Sequence, residues 1–204
     1  MELREIQLVA SEGNWRLFMI RKADKAFLSF EEKVFKRDNY TCQFCGFVSK
    51  QCMEAINIDH NYHNNRMSNL ATACPYCAQC FFLGSAGKGG FGGGTLIYLP
   101  EMTQNELNAM CHVLFASIIT GGPEAKKAKA AYRSLKLRVQ HVDKELGEGF
   151  SNPAIYGQLL IDSHAKNKQK LHAALCEKLR LLPNMARFAD QVKAWATEGL
   201  TTLS

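Results

Sequence analysis

Two CxxC pairs, Cys42-Gln43-Phe44-Cys45 and Cys74-Pro75-Tyr76-Cys77, stand 28 residues apart and constrain this chain more than any other feature. A CxxC turn aims two thiolates at one point, and zinc takes four soft ligands in a tetrahedron with Zn–S bonds of ~2.3 Å. Two such knuckles read as a structural zinc site with a folded insert between them, in preference to unpaired core cysteines or a redox pair. The expected ligands are Cys42, Cys45, Cys74 and Cys77, holding one Zn2+ per chain. Cys80 makes a further CxxC with Cys77 and is the main rival to a named ligand; Cys52 is also spare. Cys111 and Cys176 fall on apolar helical faces and read as small core residues.

Eight cysteines would also suit a secreted disulfide framework. Against that, Met1-Glu2-Leu3-Arg4-Glu5 lacks the charged-then-apolar pattern of a leader, so a reducing cytoplasm is the expectation. No apolar run approaches the ~20 residues needed to cross a bilayer, so membrane association is expected only through a partner. The net charge of +6 permits contact with nucleic acid or an acidic protein and requires neither.

Along the chain, Ile6-Gln7-Leu8-Val9 and Trp15 to Ile20 read as two strands joined by a turn at Ser11-Glu12-Gly13-Asn14. Ser29 is expected to cap a helix from Phe30 to Arg37. Gly84 to Gly94 is rich in glycine and formally contains G-x-G-x-x-G, but a strand (Thr95–Leu99) follows it rather than a helix. It reads as a mobile loop. From Pro100 the periodicity turns helical. Thr103 and Glu106 form a capping box, and Leu107, Met110, Cys111, Leu114, Phe115 and Ile118 line one face up to Gly121-Gly122.

A second helix opens at Pro123 and carries Ala128, Tyr132, Leu135, Val139, Val142 and Leu146, with Lys126, Lys127, Lys129, Arg133, Lys136 and Arg138 on what reads as a solvated basic face. Ser151-Asn152-Pro153 starts a third, through His164. A fourth carries Leu171, Ala174, Leu175, Leu179 and Leu182 before Pro183, and a fifth carries Met185, Phe188, Val192 and Trp195. The four histidines of this half, His112, His141, His164 and His172, show no ligand spacing and read as surface or packing residues.

The run Arg37 to Gly46, Asp59-His60, and Asn69-Leu70 ahead of Cys74 resemble the HNH family of metal-dependent nucleases over roughly Phe30 to Cys80. That resemblance implies an aspartate at Asp59 holding a catalytic metal, a histidine at His60 activating water and an asparagine at Asn69 positioning it. It also implies a last ligand, His or Asn, directly after the final CxxC. Here Ala78 stands in that place and has no lone pair; Gln79 is displaced by one residue, and His63 lies on the other arm. Without a metal to stabilise phosphorane charge, a histidine base achieves little on a phosphodiester. The implied module is non-catalytic, with Asp59, His60 and Asn69 retained in internal hydrogen bonds.

The degenerate module, the glycine segment and a helical half of this length together resemble the IcmJ/DotN family of the Dot/Icm type IVB secretion system. The resemblance implies a soluble adaptor of the coupling complex. Such a subunit sits at the cytoplasmic side of the inner membrane and binds the C-terminal extension of the coupling ATPase DotL. DotM, IcmS–IcmW and LvgA accompany it, and effector export is the purpose. The expected fold is α+β: an HNH-like zinc module with N-terminal strands over 1–99, and a mainly α-helical region over 100–204. The alternatives are an active HNH endonuclease and a nucleic-acid-binding zinc protein.

Overall fold

The computed structural model describes residues 2–11 and 13–202. The chain enters without regular structure, yet Ile6 and Leu8 are buried. Arg4 N–H donates to the Gln43 carbonyl and Val9 N–H to the Cys80 carbonyl, while Val9 accepts from Leu83 N–H. The alternation of this stretch is therefore real, but its backbone bonds go to the first knuckle, to the segment after the second knuckle and to Asn105, and not to a ladder. Trp15 to Ile20 is no strand either. Helix α1 (Asn14–Arg21) buries Phe18 and Arg21 three residues apart, a helical spacing that short apolar runs conceal. Helix α2 (Lys25–Arg37) starts a turn before the expected point because Asp24, not Ser29, accepts from Ala26 N–H. The Ser29 hydroxyl instead bonds back to the Lys25 carbonyl inside the helix.

Strands β1 (Glu54–Asn57) and β2 (Leu70–Ala73) form an antiparallel pair with Glu54 opposite Ala73 and Asn57 opposite Leu70. Phe27, Val34 and Phe35 of α2 pack with Ala55 and Leu70 as a small satellite core. Arg21 locks the other side. Its guanidinium, buried among the rings of Phe18, Phe27 and Tyr62, donates to Asn57 Oδ1, Asn65 Oδ1 and the Ala55 carbonyl. The insert between the knuckles is thereby fastened to α1. Strand β2 leads directly into the short α3 (Pro75–Ala78), with Cys74 at its N-cap and Pro75 in the first turn, and then into a 3-10 segment over Gln79–Ser85.

The glycine segment is tied down. Gln79 Oε1 accepts from Gly93 N–H at 2.8 Å, and the Arg187 guanidinium bonds to the carbonyls of Gly87 and Gly92. Gly92 and Gly93 have positive φ, and a side chain on either would meet Gln79 or Arg187. A partner a hundred positions away holds the loop that composition alone reads as free.

Strand β3 (Gly94–Tyr98) follows as expected, and α4 (Gln104–Thr120) carries the capping box at Thr103 and Glu106 and ends on a left-handed Gly121. The next helix is broken in two, α5 (Ala125–Leu137) and α6 (Val139–Leu146). At the break the Arg138 carbonyl accepts from Tyr98 N–H and its guanidinium reaches the Tyr98 carbonyl, which diverts the backbone to the edge of β3. Helix α7 (Pro153–Asp162) is capped by Asn152, and α8 (Ala165–Lys178) leads into β4 (Leu179–Pro183). The side chains of Ala174, Leu175 and Cys176 in α8 lie outside the described residues.

Leu179 and Leu182, expected on a helix, belong to this wholly buried strand, antiparallel to β3 with Gly94 opposite Pro183. The free edge of β4 is completed by a side chain: Gln104 Oε1 accepts from Leu181 N–H at 2.7 Å, and its Nε2 donates to the Leu181 carbonyl at 2.9 Å. Helix α9 (Ala189–Thr202) closes the chain. The fold is α+β, with a cysteine-rich N-terminal part and a mainly helical C-terminal half, and one apolar core runs from Cys42 and Cys77 through Phe115 to Trp195. Among the described residues, no helix is long and apolar enough to cross a membrane.

Candidate metal centre

The first knuckle is a tight turn. Cys42 N–H donates to the Phe47 carbonyl and Gly46 N–H to the Cys42 carbonyl, with Gly46 at φ +76° where a side chain would be strained. Gln43 N–H reaches the Thr72 carbonyl at 2.8 Å, which sets this knuckle beside the end of β2 and so beside Cys74. The second knuckle is the first turn of α3. Proline after Cys74 suits that turn, and Ala78 N–H closes it on the Cys74 carbonyl.

The result brings Cys42, Cys45, Cys74 and Cys77 together with their sulfurs all within 4.8 Å of one another. Cys45 and Cys74 are 3.6 Å apart. Thiolates at ~2.3 Å from one ion sit about 3.8 Å apart in a tetrahedron, so the spacing fits an ion and is too long for a disulfide bond. All four are buried. Burial pushes the Cys74 and Cys77 thiols well up. Burial opposes ionisation of Cys42 too, but its bonds with Cys45, Cys74 and Cys77 outweigh it and bring that thiol down. A cluster of this kind ionises fully only when a cation compensates the charge. Four close, buried, soft donors can chelate a metal ion.

The spare cysteines stand apart from the cluster. Cys80 bonds to the Tyr76 carbonyl at 3.3 Å, Cys52 is exposed, and Cys111 is buried on α4. The side chain of Cys176 lies outside the described residues.

Two residues face the sulfurs: Asn108, which the sequence did not single out, and His112, which it read only as a surface or packing residue. Asn108 Nδ2 lies 3.3 Å from Cys77 Sγ, and His112 Nε2 lies 3.2 Å from Cys74 Sγ. His112 is stacked between Phe47, with centroids 3.7 Å apart, and Tyr76, at 4.2 Å, with Trp195 at its edge. Burial pushes its pKa down to about 3, against the opposing pull of Cys42, so the ring is neutral. The available signal was two polar residues at i, i+4 spacing among the buried Leu107, Cys111 and Phe115 of α4.

Asp59, His60 and Asn69 do lie together, but as a structural knot. Asp59 accepts from Asn61 N–H and Asn69 Nδ2 on one oxygen and from Asn64 Nδ2 on the other, while Asn69 Oδ1 accepts from Asp59 N–H. The His60 ring leans on Phe81 at 5.6 Å, and burial lowers its pKa against the pull of Asp59. Ala78 is buried in α3, Gln79 is committed to Gly93, and His63 is exposed on the loop. Among the described residues, the four cysteines are the one group able to hold a metal.

No family model matches the chain. A curated protein of Legionella pneumophila subsp. pneumophila (strain Philadelphia 1), the type 4 apparatus protein DotN, is 51% identical to it over 200 residues. The alignment covers 98% of this chain and 93% of that protein.

Proposed function

This chain belongs to the family of the type 4 apparatus protein DotN, and from that premise we propose that it is a non-catalytic adaptor of a type IV secretion coupling complex. In this reading it binds the C-terminal extension of the coupling ATPase DotL, in company with DotM, IcmS–IcmW and LvgA, and supports effector recruitment and export. It sits in the cytoplasm, peripheral to the inner membrane through those partners. Residues 1–99 form the metal module and 100–204 the helical region that buttresses it. Cys42, Cys45, Cys74 and Cys77 hold one structural Zn2+, whose contribution is rigidity: it ties two knuckles into one surface, with apparent binding energies of ~10–16 kcal/mol typical of such sites.

The observation that carries the reading is the 51% identity sustained along nearly the whole of both chains. The geometry around Asp59 supports the absence of catalysis. Both of its carboxylate oxygens are engaged by asparagines, and the position after the last knuckle cysteine is a buried alanine.

Co-expression with the C-terminal extension of the coupling ATPase tests it, with metal content read on the eluate. Stable co-elution with about one zinc per chain is expected of a four-cysteine site. A purified chain that ignores the extension, yet nicks DNA in a His60-dependent manner, would overturn the adaptor in favour of a nuclease.

A further inference from the structure

A buried metal centre made of four thiolates and a divalent ion carries a net charge of −2, and in a low-dielectric core that charge needs donors aimed at the sulfurs. Helix α4 supplies two. Asn108 and His112 are one turn apart, both buried, and their nitrogens approach Cys77 and Cys74, the two ligands of the second knuckle. We propose that Asn108 and His112 are outer positioning residues of the metal centre, whose N–H groups donate to the thiolates of Cys77 and Cys74 and hold the ion against release. The proposal rests on the four cysteines being metal ligands.

The orientation of Asn108 is dictated by the backbone of β4. Leu181 offers one N–H and one carbonyl, so Gln104 must present Oε1 to the first and Nε2 to the second. The remaining hydrogen of Gln104 Nε2 then donates to Asn108 Oδ1 at 2.9 Å. With its oxygen committed, Asn108 has only its Nδ2 to turn toward Cys77, and Cys80 lies further off at 3.9 Å. A relay of buried side chains thus runs from strand β4 to the metal ligand.

For His112 the argument is one of acceptors. A thiolate has no hydrogen to give, so the nitrogen facing Cys74 carries the proton. The other nitrogen, Nδ1, has no hydrogen-bond partner and holds only a lone pair, the cheaper group to leave unmet in a stack of Phe47 and Tyr76. The ring is held in place by its faces and used at its edge.

The test compares the full-length wild type with His112→Phe, which keeps the stack and deletes the donor, His112→Gln, which restores an N–H, and Asn108→Leu. Each is titrated with Co2+ and with Zn2+. Loss of an outer donor typically weakens metal binding about 10–100-fold. His112→Phe and Asn108→Leu are expected to show that loss, faster release to a chelator, and a shifted thiolate-to-cobalt charge-transfer band. His112→Gln is expected to recover part of all three. A packing role alone moves stability and leaves the band where it is. An unchanged band and affinity in His112→Phe overturn the proposal, and this variant decides the matter if Asn108→Leu fails to fold. A wild type that takes up neither ion overturns the metal reading itself, a result distinct from normal uptake with indifferent variants.

Discussion

The indole Nε1 of Trp195 donates to the carbonyl of Gln51 at 3.1 Å, joining the last helix to the loop behind the first knuckle. Glu198, one turn on, accepts from Lys50 N–H and from the Ser49 hydroxyl. Helix α9 is thereby clipped to residues 49–51 and lays its aromatic side over His112 and Phe47.

Truncating that clip should be costly. Trp195→Ala removes a buried aromatic and is expected to destabilise the chain by about 3–5 kcal/mol. Trp195→Phe keeps most of the packing and loses the hydrogen bond, for about 1 kcal/mol. Denaturant unfolding of the two variants measures the difference, and a Trp195→Phe variant as stable as wild type would mean that the Gln51 bond contributes nothing.

Metal removal is expected to act on the whole core, because the cysteines and Trp195 belong to one apolar cluster. Chelation, or Cys42→Ser or Cys74→Ser, should lower the melting temperature and loosen α9 along with the knuckles. Since protons compete with the ion for thiolates, retention should fall as pH falls. Dialysis across a pH series with metal analysis reads that slope, and melting curves unaffected by chelation would contradict it.

Glu31 gives a separate pH effect of opposite sense. Burial, and then the Glu54 carboxylate, raise its pKa from an ordinary 4.5 to about 7, against the pull of Lys22 and Arg21. Between those two values the folded chain binds more protons than the unfolded one, so this group removes stability as pH rises through the window. Glu31→Gln should match wild type near the bottom of the window and exceed it above neutrality. Paired unfolding curves at the two ends test the crossover, and a constant difference between the proteins would exclude it.

Gly157 is where α7 touches the 3-10 segment after the second knuckle. A Cβ there would lie 2.6 Å from Gly84 N and 2.7 Å from Gly84 Cα, and backbone cannot step aside as a side chain can. Gly157→Ala, stabilising in an ordinary helix by up to about 1 kcal/mol, is expected to destabilise here. A rise in melting temperature would show that the two segments can part at little cost.

Much of this was legible where a few neighbouring residues decide the outcome. The capping box at Thr103, the left-handed stop at Gly121 and the Asn152-Pro153 start all depend on local backbone geometry, and all three are found. The convergence of the four cysteines followed from spacing. What escaped was set by distant partners. Leu179 to Pro183 becomes a strand because β3 and Gln104 complete its bonds, and the glycine segment is held by Arg187. Trp15 to Ile20 packs one helical face where the run of apolar residues hid the period. Asn108 and His112 reach the sulfurs only once α4 has docked, which no spacing along the chain records.

The four thiols lie between positions 42 and 77, whereas the side chains that face them come from α4, with Trp195 of α9 packed against His112 behind. During synthesis, the hairpin of knuckles leaves the ribosome as an open cup before its lid has been translated. An ion bound there would be enclosed when α9 docks last on His112 and Phe47, and its later exchange would wait on the undocking of that helix. An ion taken up at that stage would then reflect the metal at hand when the chain was made, rather than the metal that surrounds it afterwards.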